Sequence, residues 1–160
     1  MRAETEAIIN AVLFIMIIFI IFSWVYKDCT QQNSAREEYN KIVKKNINDK
    51  YTLFYAKLCN NSQIDDVTCV MTATSPVYHY TKDQERKTIR TPSQYVLLGG
   101  NCKDSAVFYA TIFKNLNYTI DFQFPVPHHT MLIISKKITD NHYRYCNIEG
   151  NKGTCYEVAI

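Results

Sequence analysis

The chain is 160 residues long, enough for one domain with a buried core, and 47% of it is hydrophobic against 21% charged. Eighteen Lys and Arg against 15 Asp and Glu leave a net charge of only +3. No basic stripe is interleaved with aromatics, so a nucleic-acid partner is not expected.

Residues 7–26 read AIINAVLFIMIIFIIFSWVY, with no charge and with Asn10 and Ser23 as the polar interruptions. About 20 such residues in a helix cross the ~30 Å hydrocarbon layer of a bilayer. Trp24 and Tyr26 stand at one end, where amphipathic rings anchor among the headgroups. The run is long for the apolar region of a signal peptide, and no small-x-small cleavage site follows it. The expected organisation is a short tail over 1–6, a retained single membrane anchor over 7–26, a polar connector over 27–34 and a domain over 35–160.

Two cues conflict on orientation. Arg2 is the one basic residue before the apolar run, whereas Lys27, Arg36, Lys41, Lys44 and Lys45 follow it, which favours a cytoplasmic domain. Against this, four of the six cysteines form two local pairs, Cys59 with Cys69 and Cys146 with Cys155, the pattern of disulfides made in an oxidising compartment. Asn60-Asn61-Ser62 and Asn117-Tyr118-Thr119 match the glycosylation sequon. The balance favours an extracytoplasmic domain.

Beyond the connector, residues 35–58 carry apolar side chains at helical spacing, Tyr39, Ile42 and Val43 on one face and Leu53, Phe54, Ala56 and Leu58 in a second patch, which predicts one or two helices. Asp65 is a candidate N-cap for a further helix, which Pro76 should perturb or end. The charged stretch TKDQERKTIR reads as a solvated loop. Pro92 opens a short helical turn that Gly99 and Gly100 break. Residues 102–116 then form a helix with Ala106, Tyr109, Ala110, Phe113 and Leu116 on one face and Val107 and Ile112 widening it, apolar enough to be central. Asn117 falls where a left-handed residue ends a helix. The remainder alternates as sheet: YTIDFQF, HTMLIIS, a turn at Asp140, HYRYCNI, a GNKG turn and TCYEVAI. The fold class is α+β, a central helix on an antiparallel meander.

The chemistry centres on GGNCKDSA, beginning at Gly99. A cysteine in the first turn of a helix sits at the positive end of the dipole, which favours its thiolate. Two preceding glycines let the chain turn sharply and leave the Cys102 amide open to donate to an oxyanion. A thiol nucleophile needs a base, and His128 and His129 begin the strand that follows PVP. The base needs an acceptor on its other nitrogen. On the next strand, alternation puts Tyr143, Tyr145, Asn147 and Glu149 on one face, so Glu149, or else Asn147, can meet the imidazole. A carboxylate beside the sulfur would oppose its ionisation, so Asp104 is expected to turn to backbone amides in a structural role.

Tyr80-x-x-Asp83, TPSQYVLLGGNCKDSA, HHTM and YCNIEG, in this order, resemble the transglutaminase-like superfamily, the papain-like group of cysteine peptidases and acyl-transfer enzymes. The likeness runs over about 78–150, nearly half the chain. Its more specific parts are the Gly-x-Cys-x-Asp core at Gly100, Cys102 and Asp104, with Pro92 ahead of it. The resemblance implies a papain-like fold and a triad in which Cys102 is the nucleophile, His129 the base and Glu149 the acid. His129 is favoured over His128 because Thr130 and then Met131 follow it as a small and then a large residue. The sequence departs from the pattern in three ways. Met131 replaces an aromatic, Glu149 replaces the commoner Asp, and Gly150 stands where Pro is frequent.

The function implied is a membrane-anchored, thiol-dependent hydrolysis or transamidation of peptide or protein amides near the bilayer, with no cofactor. The alternatives are a non-catalytic interaction module on the same scaffold and a redox protein using Cys102 with a second thiol, although no paired redox motif lies near Cys102. Metal binding is not expected, because no Cys-x-x-Cys or His-x-x-x-His pair exists.

Overall fold

A computed structural model describes residues 2–81, 88–126 and 129–159, with side chains from residue 12 onward. The chain divides into two compact units, Met1–Ala35 and Arg36–Ile160. The first helix, α1, spans Arg2–Lys45, so its last turns belong to the second unit.

In the first unit, the large apolar side chains from Val12 through Tyr26 are exposed, among them Phe19 and Trp24 at 73%. The helix is long and apolar enough to cross a membrane. The polar stretch 27–34, expected as a connector, is helical throughout. No Pro or Gly interrupts it, and its polar side chains bond along the helix. Thr30 Oγ1 donates to the Tyr26 carbonyl at 2.8 Å, and Gln32 Nε2 donates to Asp28 Oδ2 at 3.0 Å.

The second unit is α+β. Helices α2 (Lys50–Asn60) and α3 (Asp66–Thr74) lead through a 3₁₀ turn at Ser75–Val77 to α4 (Pro92–Leu98) and α5 (Cys102–Asn115). Strands β1 (Thr119–Gln123), β2 (Met131–Thr139), β3 (His142–Glu149) and β4 (Lys152–Ala159) follow as an antiparallel meander in the order β1-β2-β3-β4. Local chemistry sets the boundaries. Asp65 Oδ2 accepts the Thr68 amide at 3.0 Å and caps α3, which ends at Thr74 as Pro76 enters the 3₁₀ turn. Thr91 and Gln94 form a reciprocal capping box, with Pro92 in the first turn of α4. Asn117 closes α5 in the left-handed region at φ 64°.

Helix α5 is the centre of the unit. Residues 104–113 are all buried, Val107, Phe108, Ile112 and Phe113 completely. It packs against α2 and α4 on one side and β1–β3 on the other, where Phe122, Leu132, Ile134, Cys146 and Ile148 meet it. Burying an aromatic or branched side chain of this kind stabilises the fold by about 1.5–3 kcal/mol each.

Strand β2 begins at Met131, so His129 and Thr130 lie just ahead of it rather than within it. The reason is pairing: Gln123, the last residue of β1, is opposite Met131, and residues before Met131 have no partner strand. The expected GNKG turn is shorter, because β4 already begins at Lys152 opposite Glu149. Both cysteine pairs are disulfides, Cys59–Cys69 between α2 and α3 and Cys146–Cys155 between directly paired residues of β3 and β4.

Candidate functional site

The turn into α5 is built around a buried carboxylate. Asp104 Oδ1 accepts the Arg90 amide at 2.7 Å and Oδ2 accepts the Asn101 amide at 3.0 Å. The Arg90 guanidinium in turn donates to the carbonyls of Leu98 and Gly99. Gly100 is required by this packing: a Cβ there would stand 2.6 Å from both Asp104 Cβ and Oδ2 and 2.9 Å from the Tyr95 ring. Gly99 adopts φ 67°, the left-handed region that side chains disfavour, and ends α4. Asp104 therefore bonds backbone amides, as the sequence suggested, and the turn sets Cys102 at the first position of α5. Cys102 takes no part in either disulfide.

A short parallel bridge brings two aromatics alongside. The Gly100 amide donates to the His79 carbonyl and the Thr81 amide to the Gly100 carbonyl, both at 2.9 Å, which pairs Tyr80 with Gly100. Tyr78, Tyr80, Cys102 and Ser105 line a cleft of about 820 Å³. His129 and Met131 line it too, together with Asn147, Glu149, Lys152 and Thr154 from β3 and β4.

His129 Nε2 lies 3.2 Å from Glu149 Oε1, with side chains 31% and 65% exposed. The alternation predicted for β3 is present: Cys146 and Ile148 are buried against α5, whereas Asn147 and Glu149 turn to the cleft. Asn147, the alternative acceptor, lines the same cleft, but the pair to His129 is made by Glu149. His128 lies outside the described residues. The three residues singled out by the resemblance, Cys102, His129 and Glu149, thus line one cleft although 47 positions separate the first from the last in numbering.

Tyr78 adds a hydroxyl that sequence reasoning did not single out. Burial, with the charges of Tyr80, Cys102 and Glu149 adding to it, raises its hydroxyl above the ordinary tyrosine range, so it stays protonated as a donor. Gly150, at φ 58°, accommodates it: a Cβ there would be 2.7 Å from the Tyr78 hydroxyl. Tyr39 and Thr130 were also missed in a functional sense; their hydroxyls lie 3.0 Å apart, and Thr130 directly follows His129. Nothing local in either sequence segment joins them. Among the described residues no group of three or more His, Cys, Asp or Glu side chains is arranged to hold a metal ion.

Comparison with known proteins adds no relative: no protein-family model, no curated protein and no solved structure matches the chain.

Proposed function

We propose that the second unit is a transglutaminase-like cysteine amidohydrolase or acyltransferase, held at a membrane by the apolar part of α1, with Cys102 as nucleophile, His129 as base and Glu149 as the acceptor that orients the base. The observation that carries the reading is the gathering of these three side chains in one cleft, with Glu149 Oε1 3.2 Å from His129 Nε2. A thiol at the start of a helix, an imidazole and a carboxylate are the groups that nucleophilic acyl transfer needs.

In this mechanism the imidazole holds the thiol proton and the thiolate attacks an amide carbonyl. The tetrahedral oxyanion is received by the Cys102 backbone amide at the helix N-terminus. The imidazolium then gives its proton to the departing amine, which leaves a thioester on Cys102. Water or a second amine, deprotonated by His129, attacks the thioester and restores the thiol. Glu149 keeps the ring turned and stabilises its cationic form. The substrate class is a peptide or protein amide close to the bilayer. The two disulfides support a domain on the oxidising side of that bilayer.

The test is turnover by the full chain in detergent, read as cleavage of a casein digest by mass spectrometry and as incorporation of a fluorescent primary amine into casein. Activity in either assay that is lost in Cys102→Ser and in His129→Ala supports the proposal. Activity that survives Cys102→Ser overturns it. An inactive protein whose Cys102 alkylates no faster than an ordinary exposed thiol points instead to a binding module on the same scaffold.

A further inference from the structure

Tyr39 stands on the last turns of α1, within the second unit, and is 7% exposed. Its ring meets Phe122 and Phe124 with centroids 4.9 Å and 5.5 Å apart, and its hydroxyl is 3.0 Å from Thr130 Oγ1. These contacts fall at both ends of the segment that joins β1 to β2. Phe124 directly follows β1, and Thr130 directly precedes β2. His129 is the residue before Thr130, and its amide donates to the Val126 carbonyl at 3.2 Å.

One turn earlier on the same face, Arg36 Nε donates to the Phe122 carbonyl at 2.9 Å and lies 3.6 Å from Asp121 Oδ1. A single side chain therefore touches both ends of the segment that carries the imidazole.

On the reading that Cys102 and His129 work as a thiolate–imidazolium pair, we propose that Tyr39 is the positioning residue for His129. Its hydroxyl fixes Thr130, and so fixes where the imidazole stands relative to the sulfur. Both members of the hydrogen bond are buried, Thr130 at 6% exposure, so each is the other's means of satisfying a polar group away from water. Removing the Tyr39 hydroxyl leaves Thr130 Oγ1 to turn toward another partner, and the backbone next to His129 follows. The aromatic contacts to Phe122 and Phe124 survive in Tyr39→Phe, so the substitution separates positioning from packing. Misplacement of a reacting group by about 1 Å costs on the order of 10²-fold in rate, so a partial shift of the ring is expected to be visible.

The experiment measures iodoacetamide alkylation of Cys102 in the full chain, solubilised in detergent, in a Cys29→Ser background so that one thiol reports. Rates are taken at pH 6 and pH 9 for the parent, His129→Ala, Tyr39→Phe, Thr130→Val and the Tyr39→Phe/Thr130→Val double variant. An ordinary cysteine thiol is largely protonated at pH 6 and largely ionised at pH 9, so help from a neighbouring base shows in the first rate and not in the second. The expected result is a loss of about tenfold at pH 6 in each single variant, with rates at pH 9 within about twofold of the parent. The double variant should lose no more than either single one, because one bond is broken in all three. Tyr39→Phe and Thr130→Val rates equal to the parent at pH 6, while His129→Ala is slow, overturn this inference and leave the thiol–imidazole pair standing. Losses that multiply in the double variant also overturn it. A parent protein that alkylates at pH 6 no faster than an ordinary thiol overturns the pair and this inference together.

Discussion

His129 Nε2 lies 3.2 Å from Glu149 Oε1, a contact between the residue two positions ahead of β2 and the last residue of β3. It exists because β2 and β3 pair in a register that puts Leu132 opposite Ile148, so the positions flanking that pair meet at the same end of the sheet. The neighbouring turn at Gly150 and the Cys146–Cys155 bridge hold the end of β3 in place.

The contact makes the carboxylate testable apart from the thiol. On the proposed acyl-transfer reading, Glu149→Ala is expected to slow turnover by about 10²-fold, the size of a misoriented or destabilised general base. Glu149→Gln keeps an acceptor oxygen without the charge and should fall between Ala and the parent. The measurement is turnover, or pH 6 alkylation of Cys102, in matched preparations. Parent-like rates in Glu149→Ala would remove Glu149 from the mechanism.

The Asp104 cradle leaves no room at Gly100. A methyl group there collides with the carboxylate that holds the Arg90 and Asn101 amides. Gly100→Ala should therefore destabilise the domain by about 1–3 kcal/mol, the usual cost of forced overpacking. The thermal midpoint reads it directly. An unchanged midpoint would mean that the turn into α5 has slack that the packing distances do not show.

A second carboxylate ties the sheet to α3. Burial alone would raise the Asp65 carboxyl, but the amide and hydroxyl of Thr68 and the guanidinium of Arg144 together hold it below the usual carboxylate range. A depressed folded-state value means that the unfolded chain binds the proton more tightly. The stabilisation is then complete above the ordinary aspartate value and is lost as pH falls through the lower folded value. Asp65→Asn should lower the urea midpoint at pH 7, and the gap from the parent should narrow toward pH 3. A gap that stays constant across that range would show that Arg144 contributes nothing through the charge of Asp65.

The Cys59–Cys69 bridge joins α2 to α3 with a sequence separation of 10. Replacing both cysteines by Ser should cost about 2–4 kcal/mol of stability. Peptide mapping without reduction should recover Cys59 with Cys69 and Cys146 with Cys155, and should find Cys29 and Cys102 alkylated when the folded protein is treated with iodoacetamide. A crosslinked peptide containing Cys102 would overturn the site.

Much of the fold was legible because its signals are local. Asp65 as a cap, Pro92 in the first turn of α4, Asn117 in the left-handed region and the burial alternation of Cys146, Asn147 and Ile148 each follow from side-chain chemistry within a few residues. What the sequence left out depends on partners far along the chain. His129 was expected to begin a strand, but where β2 starts is decided by the end of β1. The polar stretch at 27–34 reads as a connector by composition, whereas its helical state rests on the absence of a breaker and on contacts one turn away. The Tyr39–Thr130 bond joins residues 91 positions apart, and no periodicity announces such a pair.

Both bridges close small rings, and this shapes how the chain matures as well as how firmly it holds. Ring closure costs less entropy the fewer residues it encloses, so each cysteine meets its near neighbour long before a distant thiol. Cys102 lies between the two rings in the linear order, enclosed by neither. During oxidation the paired sulfurs are captured locally, and Cys102 is left out of both rings by its position along the polymer.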